Sequence, residues 1–149
     1  MSTPDFSQLE NLKVRPTATA EYTFFQIEDE PVLKVRPASE VNKPYLNAVL
    51  RLGRSTLRKM RGGKISTAVL EENREQDRKL FAKYVVLEWK NVKDAKGEEV
   101  SFSKEACEAF LRALPNDIFD DLRVFCGDID NFRKENELAE DDISELEGN

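Results

Sequence analysis

The chain has 149 residues, 40% of them hydrophobic, with 23 basic and 29 acidic side chains and a formal net charge of −6. That is enough for one domain with tails and a sizeable core. It contains no histidine, the commonest general base and metal ligand, so catalysis is the minority expectation.

Residues 1–19 mix Ser, Thr, Pro and Ala with few apolar side chains and read as a mobile lead-in with neither the basic nor the apolar region of a signal peptide. Next, Glu21 to Ile27 is rich in β-forming residues, Glu28-Asp29-Glu30-Pro31 interrupts it, and Val32 to Arg36 alternates apolar with basic. That pattern predicts a β-hairpin over 20–37, which must lean on helices or another subunit because a lone hairpin is marginal in water.

Pro37 and Pro44 bracket a loop, after which Leu46, Val49, Leu50, Leu57 and Met60 form a helical stripe with Gly53 on the same face. This helix, over about 43–61, carries a basic patch of Arg51, Arg54, Arg58, Lys59 and Arg61. No acidic residue occurs from Lys43 to Lys64. Such a run is a solvated face, or a surface for an acidic partner, for the chain's own acidic tail, or for nucleic acid. Nucleic acid is disfavoured because no aromatic residues interleave with the cations.

Gly62-Gly63 breaks the helix, and Ser66 or Thr67 can cap the next, read over about 66–89. Its middle, Glu71 to Lys79, has no apolar side chain, which predicts a centre in solvent, a partner contact, or a break in the helix. Asp94-Ala95-Lys96-Gly97 reads as a turn whose fourth-position glycine suits a type I turn or a bulged hairpin. Ser103 can cap a third helix, over 103–114, with Ala106, Phe110, Leu111 and Leu114 inward. Pro115 then forces a corner, and a fourth helix over 116–134 has Ile118, Leu122, Phe125, Ile129 and Phe132 on one side, with Asn116 as its cap. Gly127 weakens that helix and offers room for a second backbone.

Beyond Phe132 the character changes: seven acids and no cation lie between Glu135 and Asn149. Removing those seven charges takes the formal total from −6 to +1, so residues 135–149 read as an acidic tail, disordered and solubilising. Ile143 and Leu146 are isolated apolar points in it, enough for a short docking motif.

The expected fold is therefore α+β and predominantly helical: an N-terminal β-hairpin followed by a four-helix antiparallel assembly, in one domain over 20–134. Two cysteines, Cys107 and Cys126, occupy helix-interior positions as reduced core residues, which fits a cytosolic protein, and without histidine they make no ordinary zinc site. Gly62-Gly63-Lys64 lacks the preceding glycine of a phosphate loop. No apolar run reaches the roughly 18 residues of a membrane helix. No catalytic residue, cofactor, metal or membrane association is expected.

From Lys83 onward the sequence resembles the tail assembly chaperones of long-tailed bacteriophages. The features that carry the likeness are Val85-Val86-Leu87-Glu88-Trp89, the polar turn Asn91 to Val100 ending in glycine, Ser101-Phe102-Ser103-Lys104-Glu105 opening a short helix, and Leu114-Pro115 before a closing helix. Their order, over about residues 83–133, is what distinguishes them. The hairpin departs from the shortest, all-helical members. The resemblance implies a non-catalytic protein of the infected host's cytoplasm that binds the tape measure protein, the tail tube protein or both during tail morphogenesis, with room for self-association. It also implies a frameshifted, C-terminally extended form in some members. Partner-contact candidates are Trp89, Phe110, Leu114, Ile118, Leu122 and Phe125, each of which also suits plain core packing. A structural protein of the virion neck or tail, pairing through an edge strand of the hairpin, is the alternative.

Overall fold

A computed structural model describes residues 3–61 and 67–133, with the side chains of 54–61 and of Ala68 excepted. The basic positions Arg54, Arg58, Lys59 and Arg61, the Gly62-Gly63 break and the acidic tail therefore lie outside the described side chains or residues.

Two short strands, β1 (Ala20–Thr23) and β2 (Val32–Val35), pair antiparallel with Tyr22 opposite Leu33. A third strand, β3 (Val86–Lys90), pairs antiparallel with the other side of β2, so the order is β1-β2-β3. The fold is α+β with a helical majority and a small three-stranded antiparallel sheet. β3 corrects the helix expected to run through Trp89. The helix α2 (Thr67–Leu80) ends in one π-helical turn, Phe81–Val85, and the chain then extends. Val85-Val86 is a β-branched pair that loses side-chain freedom in a helix and packs well in a sheet.

A helix that changes into a strand orphans its last carbonyls, and those of residues 83 to 86 have partners here. Asn42 Nδ2 donates to the carbonyl of Tyr84 (2.9 Å), and the Arg36 N–H donates to Val85 (2.8 Å). Lys104 Nζ donates to Lys83 (2.9 Å) and, at 3.4 Å, to Val86. Asn42 is fully buried and also caps α1 (Lys43–Arg61), accepting from the Tyr45 N–H at 3.4 Å. One side chain thus joins the start of α1 to the end of α2.

The Ser103 hydroxyl accepts from the Ala106 N–H and caps α3 (Lys104–Ala113). Pro115 turns the chain directly into α4 (Asn116–Gly127). This helix is shorter than expected: it stops at Gly127, Asp128 is extended, and a separate turn covers 130–133. No atom approaches the space of a Cβ at Gly127, so among the described residues no second backbone packs closely there. The buried stripe of α4 is Phe119, Leu122 and Cys126, rotated from the expected one, with Ile118 and Phe125 on its flanks.

The lead-in is tied down more than its composition suggests. Val14 and Ala18 join the core, Arg36 donates to the Pro16 carbonyl, and Arg133 donates to that of Leu12. Between β1 and β2 the expected second half of the first strand is instead a turn, with Asp29 and Glu30 at positive φ. The Asp94 turn forms as expected. Asp94 Oδ1 accepts from the N–H groups of Lys96 and Glu98, and Gly97 sits at φ +80°.

The core is shared between sheet and helices, which distinguishes it from a self-contained helical bundle: Leu33, Val35 and Val86 pack with Phe81, Leu111, Phe119 and Leu122. A chain of edge-on aromatic contacts crosses it. Phe102 meets Trp89 (5.2 Å between centroids), Trp89 meets Phe110 (5.6 Å), Phe110 meets Phe24 (5.5 Å), Phe24 meets Tyr22 (4.9 Å) and Tyr22 meets Phe125 (5.1 Å). Such pairs add about 1 kcal/mol each beyond the area they bury.

The polar middle of α2 is not a solvated face. Arg78 is only 6% exposed, and its Nε donates to the Leu111 carbonyl (2.9 Å). Its Nη2 donates to the Leu114 carbonyl (3.2 Å) and to Asn116 Oδ1 (2.9 Å), while the guanidinium lies 4.8 Å over the Phe119 ring. Asn116, expected as a cap, therefore uses its side chain to receive Arg78. Arg74 makes a two-pronged pair with Asp120 (3.1 and 3.0 Å), and Arg123 also donates to Asp120.

Two outcomes follow from this clasp. Arg78→Met removes the Arg78 donor from the Leu114 carbonyl and from Asn116 Oδ1, and leaves the Leu111 carbonyl with only the Leu114 N–H (3.3 Å). It is expected to cost about 3 kcal/mol in urea unfolding, with Arg78→Lys recovering less than half, because an ammonium cannot reproduce the fork. Asp120 is held below its ordinary 3.8 chiefly by the Arg74 hydrogen bond, with Arg123 adding to it. Its folded value is below its unfolded one, so its contribution is complete above about pH 4 and fades as pH falls further. The Asp120→Asn variant should be less stable at about pH 7 and lose less stability on acidification to about pH 2, read from urea midpoints.

Candidate functional site

Helices α1 and α2 lie side by side and leave a groove of about 420 Å³ between them, closed below by α4. From α1 come Tyr45, Val49 and Leu52, one turn apart, with Gly53 beside them leaving open space where a side chain would stand. From α2 come Asn73, Asp77 and Leu80, again on one stripe. Leu70 continues that stripe by one turn and is 55% exposed. On α1, Leu57 and Met60 continue the sequence periodicity, but their side chains lie outside the described ones.

At the groove floor Asp77 has both oxygens engaged. Tyr45 Oη donates to Oδ1 (3.0 Å) and Arg123 Nε donates to Oδ2 (2.7 Å). Burial first, and then the Asp77 charge, push the Tyr45 hydroxyl well above the ordinary tyrosine value, so it stays a protonated donor. Arg123 links the groove to the Asp120–Arg74 pair, and its guanidinium lies 5.8 Å from the Phe119 ring. The site thus has an apolar wall on α1, a mixed wall on α2 where Asn73 and Gln76 accompany Leu80, and a fixed hydrogen-bonded ion pair at its base. That combination suits an amphipathic helix laid along it, with side chains at helical spacing entering between α1 and α2.

A second face of α1 carries Leu50, 56% exposed, and Arg51, which with Pro44, Asn47 and Tyr84 border a separate hollow. Exposed apolar side chains also mark the lead-in. Phe6, Leu9 and Leu12 are three apart, and the turn Ser7–Leu12 is a 3₁₀-helix, so they align along one edge.

The sequence-derived contact candidates fall elsewhere. Leu114 and Leu122 are buried in the core and present no surface to a second chain, because α4 turns Phe119, Leu122 and Cys126 inward. Trp89, Phe110 and Phe125 are half-buried links in the aromatic chain, and the Trp89 indole N–H donates to the Val100 carbonyl (2.8 Å). Ile118 is half-buried against the same core. Of the basic patch, Arg51 is exposed.

The residues that build the groove base were not singled out in sequence. Asp77 and Arg123 sit in charge-rich helix stretches where nothing marks one charge from the next. Tyr45 was detectable: it lies four residues before Val49, on the groove side of the α1 stripe.

Among the described residues no group of three or more Cys, Asp or Glu side chains is placed to hold a metal ion, and no helix is long and apolar enough to cross a membrane. Cys107 and Cys126 are free and buried, and burial pushes the Cys107 thiol up to about 12.

Neither a curated protein nor a solved structure matches the chain. The sequence model of the family described as YdaY prophage protein matches residues 41–142, a span that includes all four α-helices, β3 and the whole α1–α2 groove. Since that match covers well over half of the chain, the protein belongs to the phage-related YdaY prophage protein family.

Proposed function

We propose that this phage protein is a non-catalytic tail assembly chaperone that binds the tape measure protein, the tail tube protein or both, in the cytoplasm of the infected cell. The observation that carries this reading is the α1–α2 groove. Its apolar lining runs out to Leu70 at one edge, and Leu50 on the adjacent face of α1 is as exposed. A tape measure protein is long and hydrophobic, and its helices would present apolar side chains at a spacing such a groove accepts. The ordered motifs of residues 83–133 and the phage-related family support the same reading.

Virion structural proteins are the second reading, and one feature favours it. β1 is an edge strand with a free row of backbone groups, followed by Phe25 at 75% exposure. A neighbouring subunit could add a strand there. Mass spectrometry of purified particles separates the two, since a chaperone is absent from the finished particle and a structural protein is present.

Co-expression tests the leading reading. The tape measure protein of the same phage should become soluble and co-purify with the chain. Leu50→Glu combined with Leu70→Glu, both at exposed positions, should reduce recovery about tenfold or more, the equivalent of roughly 1.4 kcal/mol, with the thermal midpoint unchanged. If solubility does not improve and nothing co-purifies, the chaperone reading falls.

A further inference from the structure

A second concavity, of about 750 Å³, lies away from the α1–α2 groove, where the lead-in, the loop before α1 and the last described turn meet. Its apolar surface comes from Leu12, Val41 and Ile129. Its lining is mainly basic, with Lys13, Lys43 and Arg133 against one acid, Glu40. Arg133 also pairs with the exposed Asp130 (2.9 Å), a contact that, like any surface pair, contributes little. Ser39 also lines it, and the Ser39 hydroxyl is buried with no hydrogen-bond partner among the described residues. An orphaned buried hydroxyl is uncommon enough to require an explanation, and a ligand oxygen supplies one. Lys13 does pair with Glu10, but both side chains are about two-thirds or more exposed, and such a pair contributes little and exchanges readily.

Arg133 is both a wall of this groove and the last described residue, so the chain that follows starts at the groove's edge. That chain has the complementary chemistry. Seven acids and no cation lie between Glu135 and Asn149, with Leu138, Ile143 and Leu146 interspersed. We propose that the groove binds the protein's own acidic segment, residues 134–149. Leucine and isoleucine side chains cover Leu12, Val41 and Ile129, carboxylates meet the basic rim, and one carboxylate accepts the Ser39 hydroxyl. Because the segment is joined to the groove without a linker, its effective concentration there is on the order of millimolar or above, which modest contacts are enough to exploit. A separate acidic peptide would have to overcome that advantage. This inference concerns a different surface from the α1–α2 groove and does not rest on the chaperone reading.

Spin labelling of the full chain tests it. A nitroxide on Ser144→Cys labels selectively, because both native cysteines are buried. At low salt the methyl signals of Val41 and Ile129 should lose more than half their intensity, and should recover most of it at about 0.5 M salt as the charges are screened. The Lys13→Glu, Lys43→Glu double variant should lower the broadening at least twofold. Broadening centred on Leu50, marking the basic face of α1, would overturn the proposal, as would no site-specific broadening at all. Broadening of an isotope-labelled, untagged chain by an unlabelled, tagged one would mean that a second copy supplies the segment, and would overturn it equally. Unchanged broadening in the double variant would overturn the proposal as well.

Discussion

Leu114-Pro115 gives α3 no residues in which to unwind before α4 begins. Proline has no N–H to give the Leu111 carbonyl, which keeps only a 3.3 Å bond from the Leu114 N–H, and the Leu114 carbonyl needs a donor from elsewhere. Arg78 meets both, from a different helix, and takes the Asn116 amide oxygen as well. A cation at the carbonyl end of α3 is also favoured by the helix dipole. The corner is thereby fixed to α2, and the orientation of α4 follows from it. Phe119 fills the space beneath the guanidinium and meets Phe81 at 5.6 Å. The proline corner is stable because a buried arginine adds the donors that its own backbone is short of.

The same accounting explains why the end of α2 can become a strand. Phe81–Val85 widens into a π-helical turn, and β3 then needs β2 as a partner, which pulls carbonyls 83 to 86 out of helical register. Donors arrive from Asn42, Arg36 and Lys104, on three separate parts of the chain. Asn42 matters most of these because it is fully buried and holds α1 and the π turn at once. The position of α1 beside α2, and hence the groove between them, depends on that amide.

Local signals were legible wherever one residue acts on its near neighbours. Ser103 caps α3, Asp94 and Gly97 make their turn, and the β1 and β2 residues pair, all from patterns a few residues long. The sequence was ambiguous where one segment suits two structures. Val85-Val86-Leu87-Glu88-Trp89 reads as a helix end by periodicity and as a strand by β-branching, and only β2 lying alongside decides between them. The polar run Glu71 to Lys79 was opaque for a different reason. Arg74, Asp77 and Arg78 look like solvated charges until partners thirty or more residues away reach them: Asp120, Arg123 and the Leu111 carbonyl. Nothing local in a sequence distinguishes a buried charge from an exposed one when its counter-charge lies on another helix.

That misreading bears directly on where a second polypeptide can bind. If the middle of α2 were solvated, the apolar faces of α3 and α4 would have been left to a partner, and Phe110, Leu114, Leu122 and Phe125 would be the natural contacts. Because α2 instead clasps the corner, those faces close on the sheet and on one another through the aromatic chain. Apolar surface remains uncovered at Leu50 and Leu70 beyond the Asp77–Arg123 pair, along Phe6, Leu9 and Leu12 at the lead-in, at Phe25 after β1 and at Val124 on α4. The charged network therefore does two things at once: it closes the inner faces of α3 and α4 on the core, and it leaves α1 and α2 with apolar surface at Leu50 and Leu70 beside the groove between them.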